Sequence, residues 1–133
     1  MKFTEKENYN FNDLVEIVKI LRAPDGCPWD REQTHKSIRS NFIEETYEAV
    51  EAIDTDDLDL LKEELGDVLF SAVNVARFLN IDSEHALYDA CDKFTDRFSS
   101  VEKLANERGI DMKTAPLSVL DSLWDEVKLS KNY

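Results

Sequence analysis

Apolar residues recur in steps of three and four along most of this chain, and nowhere do they alternate at period two for any length. Steps of three and four line up one face of a helix, whereas a half-buried strand needs strict alternation. The spacing therefore predicts an all-α protein. Leu14, Ile17, Val18 and Leu21 place a first helix from about Asn12 to Arg22. Pro24 and Pro28 then hold an irregular segment, Ala23 to Asp30. A second helix is expected from about Thr34 to Ile53, with Ile38, Phe42, Ala49 and Ile53 on its inner face. The polar turn Asp54-Thr55-Asp56-Asp57 supplies a cap and first-turn acids to a third helix, Leu58 to about Leu79. A fourth starts near Ser83 and stops before Gly109. Its Leu87, Cys91, Phe94, Phe98, Val101 and Ala105 form a seam suited to packing along another helix. Pro116 opens a fifth, with Leu117, Leu120, Trp124 and Val127 facing inward. The expected fold is a bundle of about five helices around the antiparallel hairpin of the second and third. It forms one domain over residues 1–133, with apolar seam left for a second copy to cover.

Composition narrows the partners. The 133 residues suffice for one domain, and three glycines and three prolines leave no low-complexity stretch. Lys2, Glu5, Lys6 and Glu7 are not the start of a signal peptide, and no apolar run approaches the roughly 20 residues that span a bilayer. A cytosolic protein is expected, with Cys27 and Cys91 reduced. The net charge of −13 repels phosphate, so nucleic acid and membrane surfaces are poor partners. A phosphate-bearing small ligand would need metal ions and a few placed bases.

Two segments carry acids that core packing does not account for. Glu45 and Glu48 are three apart, as are Glu64 and Asp67, so each pair shares a helix face. At about 100° per residue, Ile38, Phe42, Ala49 and Ala52 fall within roughly 80° of Glu45. Leu61, Val68, Val75 and Phe78 fall within roughly 60° of Glu64. Both glutamates thus sit inside apolar arcs, and Glu48 and Asp67 each lie about 60° to the same side. Measured from the turn, Glu48 and Glu64 differ in depth by only about 1.5 Å, and the same count pairs Glu45 with Asp67. An antiparallel hairpin would bring four carboxylates to one interface. Anions stripped of water repel one another and cost several kcal/mol each, so the arrangement calls for a hard cation. Magnesium prefers oxygen ligands and keeps waters that a phosphate replaces; manganese suits the same donors. Glu44 and Glu63 point about 100° away, into solvent, from where Glu44 could swing in to orient a water.

These residues and their flanks resemble a known family. Glu44-Glu45-Thr46-Tyr47-Glu48, fifteen residues, then Glu64-Leu65-Gly66-Asp67 is similar to the carboxylate motif of the MazG nucleotide pyrophosphohydrolases. Leu21-Arg22-Ala23-Pro24-Asp25-Gly26-Cys27-Pro28-Trp29-Asp30 with Gln33-Thr34-His35 looks like that family's signature. Lys93-Phe94, Arg97-Phe98, Val101-Glu102, Trp124 and Lys128 resemble its closing helices more loosely. The resemblance implies an all-α enzyme that converts nucleoside triphosphates, NTP or dNTP, to monophosphate and pyrophosphate. It implies magnesium on Glu45, Glu48, Glu64 and Asp67, and a homodimer or tetramer. It also implies a role in clearing abnormal or excess nucleotides. The chain carries one copy of a domain that often occurs in tandem, which bears on breadth of specificity.

The remaining candidates each fit two roles on spacing alone. Lys93 and Arg97, four apart, either hold the β- and γ-phosphates or pair with surface acids. Trp124 packs a core or stacks on a base, with Lys128 one turn later on the same side. Trp29, beside Cys27 in the irregular segment, closes over a base or a partner subunit, or plugs the core next to a tight Gly26 turn. His35 reads as a helix-start hydrogen-bonding residue rather than a ligand. Neither it nor His85 makes a convincing nucleophile, which metal-assisted phosphoryl transfer does not need. A di-iron bundle would require two Glu-x-x-His pairs, and only Glu32 and His35 fit. A dUTP-, dCTP- or phosphoribosyl-ATP-directed relative, and a non-catalytic nucleotide- or metal-binding dimer that regulates a partner, are the rival readings.

Overall fold

The computed structural model describes residues 2–130. Among them are six helices and no strand: α1 Phe11–Leu21, α2 Pro28–Arg31, α3 His35–Ile53, α4 Leu58–Phe78, α5 Ser83–Glu107 and α6 Leu117–Ser130. The all-α expectation holds, and no described helix is long and apolar enough to cross a membrane.

Helices start where a short polar side chain can satisfy the first free N–H groups. Asn10 and Asp13 form a reciprocal capping box at 3.0 and 2.8 Å ahead of α1. Thr34 and Ser37 do the same for α3 at 3.1 and 2.8 Å. Asp57 accepts from the Leu60 N–H at 3.0 Å to open α4. Losing such a cap typically costs about 1 kcal/mol. The α3 cap is Thr34 with Ser37; His35, expected to hydrogen-bond at this start, is the first helical residue and is exposed. Gly109 follows α5 at φ +65°, the left-handed conformation that ends a helix without steric cost.

The helix not expected is the short α2, which begins in the segment read as irregular, Ala23 to Asp30, and ends one residue past it. Pro28 stands in its first turn, where a missing N–H costs nothing and the ring presets φ. Four residues lie below what periodicity can register.

The chain divides into two compact units, Met1–Glu84 and His85–Tyr133. In the first, α3 and α4 pack along each other and α1 packs on α4. Val18, Cys27, Ile38, Ala49, Ala52 and Val73 are buried apolar residues of this unit. Ile53, expected inside, is 62% exposed, because it is the last residue of α3 and projects past the packed length.

In the second, Val101, Ala105, Leu123 and Val127 are buried, with Leu104, Ile110, Met112, Leu120 and Trp124 around them. The seam of α5 is therefore covered only in its C-terminal part. Leu87, Cys91, Phe94 and Phe98 are exposed, as is Leu117 at the start of α6. The reason is length: α6 has 14 residues against 25 in α5, about 21 Å against about 37 Å.

Candidate functional site

The α3–α4 connection sets the level of everything on the hairpin. Thr55 donates its hydroxyl to the Ala52 carbonyl at 2.7 Å, and Asp54 N–H reaches Glu51 O at 3.1 Å. Asp57 then caps α4, so the chain reverses with no slack. Glu48 and Glu64 arrive at matching depth, as the turn count requires.

Glu45, Glu48 and Glu64 each offer an oxygen within 4.8 Å of the other two. Glu45 and Glu64 are half-buried and Glu48 is exposed. One oxygen of Glu45 and one of Glu64, both Oε2, are buried without a hydrogen-bond partner. Burial pushes the Glu45 carboxyl above the usual carboxylate range, helped by the charges of Glu48, Asp67 and Glu44. Glu64 moves the same way, first through burial, then through Glu48 and Asp67, a hydrogen bond shared with Glu48, and Glu63. A buried acceptor left unpaired costs about 1–3 kcal/mol, more when charged. Acids that repel one another and keep unpaired oxygens fit a hard divalent cation, whose oxygen coordination answers both costs.

Asp67 stands slightly apart from the expected set of four. It is exposed and lies outside the group of mutually close oxygens. Its charge nonetheless raises both half-buried glutamates. An aspartate is one methylene shorter than a glutamate, and its position about 60° round the helix from Glu64 turns it outward. Glu44 and Glu63 are exposed, as their wheel positions require.

Trp29 is 81% exposed on α2, whereas the neighbouring Cys27 is buried. Cys27 is therefore the plug of this segment and Trp29 is not. In the second unit Arg97 is buried, its guanidinium 5.1 Å from the centre of the Trp124 ring. Trp124 is half-buried and tilts against Phe94 at 5.7 Å; Phe94 stacks on Phe98 at 5.9 Å. Lys93 and Lys128 are exposed. The pair expected side by side on one face of α5 is thus split, one base packed on an aromatic ring and the other in water.

Sequence reasoning passed over Ser71 and Asn74, buried polar residues on α4, with Asn74 Oδ1 unpartnered. They follow Glu64 and Asp67 by seven residues each, two helical turns, and that repeat was the available signal. A cavity of about 380 Å³ opens between α1 and the end of α4, lined among others by Lys19, Arg77, Glu16 and Glu84. Its charges are mixed and none of the clustered carboxylates lines it.

Comparison with known proteins points the same way. The model of the MazG nucleotide pyrophosphohydrolase domain matches residues 33–102, which include all four acids. A Thermotoga maritima protein named nucleoside triphosphate pyrophosphohydrolase/pyrophosphatase MazG is 56% identical over 63 residues, 47% of this chain and 25% of that protein. The Escherichia coli nucleoside triphosphate pyrophosphohydrolase is 34% identical over 116 residues, 86% of this chain and 43% of that protein. The chain thus spans less than half the length of these relatives. The crystal structure of a MazG-related protein from Thermotoga maritima superposes with a TM-score of 0.63 at 26% identity, covering 88% of this chain and 97% of that one.

Proposed function

Because the chain belongs to the MazG nucleotide pyrophosphohydrolase family, we propose that it hydrolyses nucleoside triphosphates to monophosphate and pyrophosphate with magnesium held at Glu45, Glu48, Glu64 and Asp67. The observation that carries this reading is the meeting of three carboxylates from two helices, two of them with buried unpaired oxygens. Bound there, magnesium would neutralise phosphate charge and lower the pKa of a water. Manganese is the expected substitute.

The chain's own residues do the placing. α3 and α4 bring Glu45, Glu48 and Glu64 together from the two arms of one hairpin, with Asp67 beside them on α4. Glu44, exposed one residue before Glu45, is suited to orient the attacking water. The water oxygen bonds to the α-phosphorus, the bond from that phosphorus to the bridging oxygen breaks, and pyrophosphate leaves with the electron pair. The water's proton passes to solvent. The family resemblance assigns Lys93, Arg97, Trp124 and Lys128 to substrate. In the second unit Lys93 and Lys128 are exposed, and the Arg97 guanidinium lies over the Trp124 ring. Trp29 is the stacking surface for the base.

What the hairpin leaves uncovered supports a homodimer, or a tetramer built from it. Ile43, Tyr47 and Val50 make an exposed stripe on α3, and Leu65 and Leu69 another on α4. The test of function is incubation with each NTP and dNTP, with and without magnesium, and chromatography of the products. Monophosphate plus pyrophosphate is expected, and a preference among dNTPs or non-standard bases would support a housecleaning role. Diphosphate plus phosphate, or binding without turnover, would overturn the assignment.

A further inference from the structure

The segment from Arg22 to Arg31 is pinned far more firmly than a surface connection needs. Gly26 lies against the last carbonyls of α1: a Cβ would sit 2.5 Å from Ile20 O and clash with Leu21 O. Gly26 N–H donates to Ala23 O and Cys27 N–H to Leu21 O, both at 2.8 Å. Arg31 Nη1 donates to Pro24 O at 2.9 Å, closing the segment on itself. Arg22 Nη1 donates to the carbonyl of Asp30 at 2.8 Å, and the same guanidinium lies 5.0 Å from the centre of the Phe78 ring. Two arginines, a buried cysteine and two prolines thus order ten residues whose largest side chain, Trp29, is left 81% in water.

We propose that Arg22 and Gly26 are positioning residues: they lock the 22–31 strap in one conformation and so present Trp29, preformed, to the nucleobase of the bound triphosphate. The inference rests on Trp29 being the stacking surface. Arg22 is the link that matters most. It grips the carbonyl next to Trp29 in sequence, and it stacks on Phe78 of α4, the helix that carries Glu64 and Asp67. The planar guanidinium does both at once, which a lysine ammonium cannot. From His35, just past the strap, to Glu45 is ten residues of α3, about 15 Å. α3 thus leads from just past the strap to the first of the clustered acids. A strap ordered before binding leaves no ordering cost to be met when the base stacks, so it strengthens ground-state binding without touching the chemical step.

The test is a double-mutant cycle on the full chain with Trp29→Ala, Arg22→Ala and the pair. Trp29→Ala should raise KM by about tenfold, the scale of one base–aromatic stack, and leave kcat within about twofold. Arg22→Ala should raise KM in the same direction with kcat and magnesium dependence unchanged, and should add nothing once Trp29 is gone. Arg22→Lys should fall between. Trp29 fluorescence anisotropy, read in a Trp124→Phe background used only for spectroscopy, should drop in Arg22→Ala while the helical circular dichroism holds. Should Arg22→Ala unfold the chain, Arg31→Ala removes the outer pin alone and should shift KM and anisotropy the same way. If Trp29→Ala leaves KM unchanged, the stacking role falls. If Trp29→Ala raises KM but the strap variants do not, or if Arg22→Ala costs as much without Trp29 as with it, the positioning role is overturned.

Discussion

On the α3–α4 hairpin glutamates meet other acids; between α5 and α6 a glutamate meets an arginine, and the same side chain is driven in opposite directions. Glu45 and Glu64 are pushed up by burial and by neighbouring negative charge. Glu126 is held below the usual range by a paired hydrogen bond from Arg108, at 2.8 and 2.6 Å. The second arrangement is complete in itself and lies in water, where such pairs contribute little. The first is incomplete, with oxygens that nothing in the described chain satisfies. Carboxyl groups raised by burial and by one another, with unpaired oxygens, are the pattern expected of a site, whereas a complete pair in water is the pattern of a surface.

The comparison breaks most decisively at turnover. Glu45→Gln and Asp67→Asn should each lower kcat by more than about 100-fold with helical circular dichroism intact, since even outer-shell partners of a metal cost 10–100-fold. Arg108→Ala should leave kcat where it was. Equal losses at the two places would abolish the distinction.

Magnesium without nucleotide gives the next largest effect. A cation that binds only the folded chain should raise Tm by roughly 5–10 °C at a hundred times its dissociation constant. Differential scanning calorimetry should find that rise in the parent chain and its loss in Glu45→Gln.

The pH dependence sharpens the contrast, because the two signs differ. For Glu45 and Glu64 the folded pKa is raised, so in metal-free protein their contribution is fully present below the ordinary carboxylate pKa. It is lost as pH rises through the raised values. Glu64→Gln should therefore make the metal-free protein more stable at neutral pH. For Glu126 the folded pKa is lowered, so its contribution is present above the ordinary value and lost as pH falls through the lowered one. Arg108→Ala should flatten only that acid limb, and least of all at high salt. Tm measured across pH for the two variants separates the limbs.

Periodicity and caps made most of the fold legible. The bounds of α3, α4 and α5 follow from Thr34, Asp57 and Gly109, each of which acts on its own few neighbours. The hairpin made the meeting of Glu45, Glu48 and Glu64 legible too, since a tight turn converts counting along the chain into height along two helices. What depends on distance in space was not legible. Nothing local says that Arg97 stacks on Trp124, that Asp67 stands outside the group of three, or that four of the six α5 seam residues are exposed.

The chain by itself determined that it is helical, where the five longer helices start to within a residue, and which acids share a face, because these are set by hydrogen bonds and side-chain positions within a turn or two. Only the tertiary structure decided which acids lose their water, which arginines lie on aromatic rings, and that Trp29 is left exposed beside a buried Cys27. Desolvation and contact belong to the packing of segments far apart in the chain, and no residue carries them alone.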